Sequence, residues 1–359
     1  MTMKALVTAG GRGTRLRPIT HTHNKHLIPI ANKPMIHYAL DALVASKIQE
    51  IGIIVNPETK DEMQEALGDG ARWNAHFSYI VQETPAGLAH AVKISRDFIG
   101  KSPFIFYLGD NVIVGGIARF IEAFAHAGAP CHLVLSKVHD PQRFGVAEIR
   151  AGRIVGIEEK PKNPKSPYAV TGIYLYDHSI FDAVAAIQPS ARGELEISDA
   201  HQYLIDQGHL LSYSEVTGWW KDTGQPEDLL EANRFVLDQI VEGGGAVTGE
   251  IDAQSELRGK IILEPGVSII QSQIRGPVVI GSGSRIERSY IGPYTAIARD
   301  CYIRNTELEY SIVLDRCRMT DVDVRIEKSL LGREVEMSKS RVRPHTQKFV
   351  VGDQSRIEL

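Results

Sequence analysis

The sequence predicts an α/β domain with a Rossmann-like open sheet over residues 1–240, followed by a left-handed parallel β-helix over residues 241–359. Three observations predict it. Up to about residue 240, short apolar runs alternate with helical stretches, the order that builds a doubly wound sheet with helices on both faces. Beyond that point aliphatic residues recur about every six positions, at Ile274, Ile280 and Ile286 and again at Ile291, Ile297 and Ile303. Such a period suits a coiled parallel solenoid whose short faces each bury one aliphatic residue. Between the two patterns a glycine cluster, Gly243 to Gly245, follows the last helical stretch, Pro226 to Ile240, and marks the boundary. The competing arrangement for the second half is an antiparallel sandwich of short strands.

Taken in order, the runs Ala5 to Thr8, Glu50 to Val55, Phe77 to Val81, Phe104 to Leu108 and His132 to Lys137 read as strands, being short, apolar and rich in β-branched or aromatic residues. Met35 to Ser46, Thr59 to Leu67 and Leu88 to Phe98 read as the helices between them. In a sheet of this kind the ligand crevice lies beyond the carboxyl ends of the strands. The glycine-rich stretch after the first strand falls there.

Composition bounds the function. The chain has 359 residues, 43% hydrophobic and 23% charged, with a net charge of −4, which is globular and lacks the basic footprint of a nucleic-acid binder. Cys131, Cys301 and Cys317 are too few and too scattered for a disulfide framework or a thiolate metal site. They read as neutral thiols of a reducing compartment. No apolar run is long enough to span a bilayer and no signal-peptide pattern opens the chain, so a cytoplasmic location with no membrane partner is expected. The 13 histidines show no metal-ligand spacing, His21, His23 and His26 included.

The chemistry is concentrated after the first strand, in Ala9-Gly10-Gly11-Arg12-Gly13-Thr14-Arg15-Leu16-Arg17-Pro18, with Lys25 downstream. Small residues let backbone amides approach a phosphate, and Arg15 with Lys25 can neutralise its charge. The pattern is neither the dinucleotide fingerprint nor the P-loop, since no Gly-Lys-Ser or Gly-Lys-Thr follows. Taken alone, such a turn also serves as a purely structural strand-to-helix connection.

Further motifs narrow the choice. Gly10 to Pro18, Lys25-His26-Leu27-Ile28-Pro29-Ile30 and Lys33-Pro34-Met35-Ile36 closely resemble the opening of the glucose-1-phosphate thymidylyltransferases. Gln82 with Pro85-Ala86-Gly87-Leu88-Ala89, Leu108-Gly109-Asp110-Asn111, Arg143-Phe144-Gly145-Val146 and Glu158-Glu159-Lys160-Pro161 follow in that family's order. So do Tyr168 to Tyr174, Gly193 to Asp199 and Trp220-Lys221-Asp222-Thr223-Gly224. The match spans the first 240 residues, and the tail resembles the long form of the family, with a β-helical second domain. His26 stands where short-form members have glutamine, and Phe144 where many have tyrosine.

The resemblance implies a nucleotidyltransferase domain with a mixed sheet and an Mg²⁺-dependent transfer of dTMP from dTTP to glucose 1-phosphate. By the same implication Ala9, Gly10, Gly11, Gly13, Thr14, Arg15, Gln82, Pro85, Gly87 and Asp110 bind the nucleotide. Gly145, Glu159, Lys160, Val170, Gly172 and Tyr174 hold the sugar phosphate. Asp110 and Asp222 ligate Mg²⁺, and Arg15, Lys25, Lys160 and Asp110 carry the catalysis. Each residue has a plainer reading as well: Asp110 as a turn aspartate, Asp222 as a helix cap, Glu159 and Lys160 as a solvated face, Val170 and Tyr174 as core.

The base edge leaves dTTP and UTP open, because thymine and uracil present the same donor and acceptors. Other sugar phosphates are open too. A regulatory or assembly subunit of the same fold is an alternative function. An acetyl-transferring solenoid is another, for which the tail offers only His345 as a base. The solenoid's open ends and flat faces lead to the expectation of a homo-oligomer.

Overall fold

The structure is a computed structural model that describes residues 2–11, 13–21, 23–239, 248–339 and 355. Strand Lys4–Thr8 lies inside a nine-stranded mixed sheet. The sheet runs Arg153–Glu159, Gly145–Arg150, Tyr168–Tyr176, Phe104–Leu108, Lys4–Thr8, Glu50–Val55, His76–Val81. Cys131–Lys137 branches from Tyr168–Tyr176 and carries Ser212–Glu215. The four strands Phe104–Leu108, Lys4–Thr8, Glu50–Val55 and His76–Val81 are parallel, whereas Tyr168–Tyr176 runs antiparallel to its neighbours.

Sequence explains this order. Ala5, Leu6 and Val7 are all fully buried, as a central parallel strand covered on both faces requires. Alternate residues enter separate cores: Leu6, Phe104 and Phe106 on one face, Ala5, Val7, Ile105 and Tyr107 on the other. The expected helices appear as Met35–Ala45 and Lys60–Leu67. The third, expected over Leu88 to Phe98, is broken. It forms Leu88–Ile94 and Arg96–Ile99, separated at Ser95, whose hydroxyl donates to the Ala91 carbonyl at 2.8 Å and competes with the helical ladder.

The second half forms three parallel sheets of 6, 5 and 5 strands stacked coil on coil, consistent with a left-handed β-helix; an antiparallel sandwich is excluded. Ile274, Ile280, Ile286, Ile291, Ile297 and Ile303 all point inward with no exposed surface. Ile269, Ile286, Ile303, Met319 and Met337 stack in one column. A ladder of side-chain bonds at one corner repeats every 17 residues: Ser272, Ser289 and Thr306 each donate a backbone N–H to the hydroxyl of Ser255, Ser272 and Ser289 respectively. These small polar residues satisfy corner amides that the short strands leave unpaired.

The expected boundary and its glycines, Gly243 to Gly245, lie outside the described residues, as does Ile240, the expected last residue of a helix that is described over Pro226–Asp238. By internal contacts the chain forms two compact units. One comprises Met1–Arg12, His23–Leu27 and Met35–Asp222; the other comprises Gly13–Thr22, Ile28–Pro34 and Thr223–Leu359. Among the described residues no helix is long and apolar enough to cross a membrane. The three cysteines are free and buried.

Candidate active site

In the first unit the ends of strands Lys4–Thr8 and Phe104–Leu108 meet. The Gly109 N–H donates to the Thr8 carbonyl at 3.2 Å, and a Cβ at Gly109 would fall 2.3 Å from that oxygen, so only glycine fits. This close approach carries Asp110 to the strand ends. Asn24 ties the same region from beneath: its Nδ2 donates to the Ala9 carbonyl at 2.6 Å, and its Oδ1 accepts from the His26 N–H at 2.9 Å. Gly10 passes so near Asn56 that a Cβ would stand 3.0 Å from the Asn56 nitrogen. At Gly11 a Cβ would strike Lys25 Cε at 2.8 Å. The glycines leave room for Lys25 to lie along the turn.

Lys25 and Asp110 form an ion pair, each side chain about one-eighth exposed, at 12% and 13%. Burial alone would raise the Asp110 carboxyl, but the charge and hydrogen bond of Lys25, with His26, hold it at about 2. His26 responds the other way. Burial first, then Lys25, lowers it to about 3, and at neutral pH it is an uncharged imidazole bonded through Nδ1 to Asn24.

Asp110 Oδ1 also accepts from Asn111, whose own Oδ1 accepts from the Trp220 indole at 2.7 Å. Strand Trp220–Asp222 pairs antiparallel with Asn111–Ile113, with Asp222 opposite Asn111. The two carboxylates expected to hold a metal therefore flank one register position. The Tyr174 phenol, raised first by burial, also feels the charges of Glu159, Asp110 and Asp222. Among the described residues no three His, Cys, Asp or Glu side chains converge as a metal cage.

The segment expected to hold the sugar phosphate is built on an antiparallel hairpin, where Glu159 is opposite Gly145. Ser198 donates to Glu159 at 2.7 Å, and a Cβ on Gly145 would stand 2.6 Å from the Ser198 oxygen. Lys160 is exposed, 3.6 Å from Glu159. Its φ of 44° turns the chain out of the strand, while its N–H bonds Phe144 O at 2.9 Å. Phe144 rests edge-on against Trp220, with ring centroids 5.5 Å apart.

One cation here goes beyond the sequence expectations. Arg192 Nη2 lies 3.5 Å from Glu159 and 2.8 Å from Glu196. The family-like stretch starts at Gly193, one residue later, so only the run of acids around Arg192 could have signalled it.

Val170 and Tyr174 are 7% and 4% exposed and belong to the core. Gly172 sits at φ 80° where strand Tyr168–Tyr176 shifts register, and a Cβ would meet Leu108 Cδ1 at 2.7 Å and Asn111 Nδ2 at 3.0 Å. It shapes the floor under Asn111.

At the expected base-reading segment, Gln82 Nε2 donates to the Gly87 carbonyl at 3.1 Å and meets His90 Nδ1 at 3.0 Å. Pro85 is exposed. Leu195 N–H donates to Ala86 O at 2.8 Å and Ala89 N–H to Leu195 O at 3.1 Å, zipping this segment to the Arg192 loop.

Gly13, Thr14 and Arg15 belong to the second unit. Gly13 has φ 61° and its carbonyl accepts from Thr20 at 2.7 Å and from Leu16 at 2.9 Å. Arg15 is exposed, and its guanidinium lies over Gly224, where a Cβ would stand 2.9 Å from Nη2.

Residues 4–239 match the family of nucleotidyl transferases. The chain is 48% identical to a glucose-1-phosphate thymidylyltransferase of Streptomyces griseus and 45% identical to one of Streptomyces antibioticus, each match covering 99% of both chains. A Bacillus anthracis structure provisionally assigned as a glucose-1-phosphate thymidylyltransferase, crystallised with sucrose, is 42% identical with a TM-score of 0.62; the match covers 65% of this chain and 95% of that one.

Proposed function

This chain belongs to the nucleotidyl transferase family, and on that footing we propose that it is an enzyme that transfers dTMP from dTTP to glucose 1-phosphate, giving dTDP-glucose and pyrophosphate. The observation that carries the reading is the 48% identity with the Streptomyces griseus thymidylyltransferase over 99% of both chains.

In this reaction a phosphate oxygen of the sugar phosphate attacks the α-phosphorus in line. One P–O bond forms, and the bond to the β-phosphate breaks with its electron pair leaving on pyrophosphate. The attacking oxygen is already ionised, so positioning and charge neutralisation suffice and no general base is required. Lys25, held close by Asp110, is suited to follow charge onto the leaving pyrophosphate. Arg15 would add a second cation on the triphosphate, with the amides of Gly10, Gly11, Gly13 and Thr14 and the small Ala9 beside it. Asp110 and Asp222 supply the hard oxygen donors that suit Mg²⁺, which when bound would neutralise phosphate charge. Asp110 is already ionised at neutral pH, as a ligand must be.

For the base, the amide hydrogens of Gln82 are directed at Gly87 and His90, leaving Oε1 to accept the single N–H of thymine. Pro85 and Gly87 shape that segment. Glu159 would accept from sugar hydroxyls, the Gly145 amide would donate, and Lys160 with Arg192 would neutralise the sugar phosphate. Val170, Gly172 and Tyr174 would form the wall behind it. UTP shares the pairing edge of dTTP and is the nearest competitor. A location in the cytoplasm, a homo-oligomeric state and the absence of nucleic-acid and membrane partners belong to the same reading.

The test is pyrophosphate release with Mg²⁺, glucose 1-phosphate and either dTTP or UTP, with Asp110→Asn as the control. Release favouring dTTP, and at least a hundredfold slower in the variant on the scale of about 2.7 kcal/mol for a lost charge contact, supports the reading. No release with any pairing of triphosphate and sugar phosphate overturns it.

A further inference from the structure

Within the second unit, three segments distant in sequence are joined by one buried side chain. Asn233, on helix Pro226–Asp238, has no exposed surface. Its Oδ1 accepts from the Ala31 N–H at 2.9 Å, and its Nδ2 donates to the Tyr294 carbonyl at 3.0 Å. Ala31 and Asn32, at φ 48° and 62°, form the tip of a hairpin pairing Pro29–Ile30 with Lys33–Pro34. Tyr294 leads into the solenoid strand Thr295–Ile297. A second tie runs from Asn32 Nδ2 to the Ile297 carbonyl at 2.7 Å.

The surroundings are apolar. Leu237, Val279 and Ala296 are buried together, with Ala31, Ile262 and Tyr294 packed against them. Val279 and Ala296 occupy outward positions of their strands, between the inward pairs Val278 and Ile280, and Thr295 and Ile297. Apolar residues on the outside of a solenoid need a cover, and here the helix and the hairpin tip provide it. A buried amide bonded on both sides then fixes the register of the three pieces, because any slip leaves polar groups unpaired.

The same helix starts two residues after Gly224, and the Arg15 guanidinium rests on that glycine. The lead into the helix therefore sets where Arg15 lies. We propose that the β-helix is a mount for the Arg15 turn, with Asn233 as a positioning residue that locks helix and hairpin to the solenoid. This rests on the reading of Arg15 as a triphosphate cation.

Asn233→Asp keeps the acceptor for Ala31 but sets a carboxylate oxygen against the Tyr294 carbonyl. Asn32→Ala removes the second tie at a partly exposed site. In the full chain, each variant is expected to speed amide hydrogen exchange over residues 13–21 and to raise KM for dTTP about fivefold, the scale of one lost hydrogen bond, with kcat and KM for glucose 1-phosphate within about twofold. If Asn233→Asp does not fold, Asn32→Ala carries the test alone. Variants with a lowered melting temperature but wild-type exchange over residues 13–21 and wild-type KM for dTTP would show a merely structural tie and overturn the proposal. If the wild-type chain does not turn over dTTP, the assigned reaction fails, while the exchange measurement still decides whether the solenoid positions the turn.

Discussion

Three buried histidines of the first unit tie stability to pH: His26, lowered to about 3, and two others. His132 is held between the hydroxyls of Ser212 and Ser214, at 2.8 and 2.9 Å, and burial lowers it to about 4. His201 bonds the Tyr176 hydroxyl at 2.6 Å, and burial lowers it to about 3. All three are neutral in the fold and bind protons more weakly than in the unfolded chain, whose value is 6.5. The stability they secure is complete above about pH 6.5 and declines as pH falls through that value toward about 4. We expect the free energy of urea unfolding to fall between pH 7 and pH 5 with a slope approaching about three protons, and His132→Gln to remove about one of them. An unfolding free energy that is flat over that interval contradicts the assignment. Asp110 behaves oppositely in charge but not in sign: its lowered carboxyl adds stability that is lost as pH falls through the ordinary value of 3.8 toward about 2.

At the scale of elements, glycines decide where strands and loops meet. Gly87 adopts φ 98°, and a Cβ there would stand 2.5 Å from the Leu195 carbonyl and 2.9 Å from its nitrogen. That contact lies beside the two backbone bonds joining the Gln82 segment to the Arg192 loop. Gly87→Ala is expected to cost about 2 kcal/mol from strain and collision, measured by chemical denaturation, and to weaken dTTP more than glucose 1-phosphate. Wild-type stability would mean the loop moves freely aside. The helix expected over Leu88 to Phe98 shows the limit of periodicity at this scale, because the Ser95 hydroxyl offers the backbone an alternative partner that a hydrophobic pattern does not register.

At the scale of the whole molecule, the second unit gathers helix Pro226–Asp238, the Pro29–Pro34 hairpin and the solenoid around one apolar patch. Removing residues 240–359 would expose Leu237 and Ala31 to water and leave Asn233 Nδ2 without the Tyr294 carbonyl. Such a truncated chain is expected to bind hydrophobic dyes or aggregate, read by light scattering against the full chain. A monodisperse truncated protein that unfolds at the wild-type temperature would show that this patch needs no cover.

The sequence by itself determined the alternating α/β order, the glycine-rich turn with Arg15 and Lys25, and the six-residue aliphatic period, since all six isoleucines named for it are buried. These are short-range signals: pleat, turn chemistry and one inward side chain per face are written within a few residues. Only the tertiary structure decided that Arg192 reaches Glu159, that Asp222 pairs opposite Asn111, that Gly172 marks a register shift, and that Gly13 to Thr22 and Ile28 to Pro34 group with the solenoid. Those outcomes depend on which distant segments bury one another and satisfy each other's polar groups, and no local spacing encodes that choice.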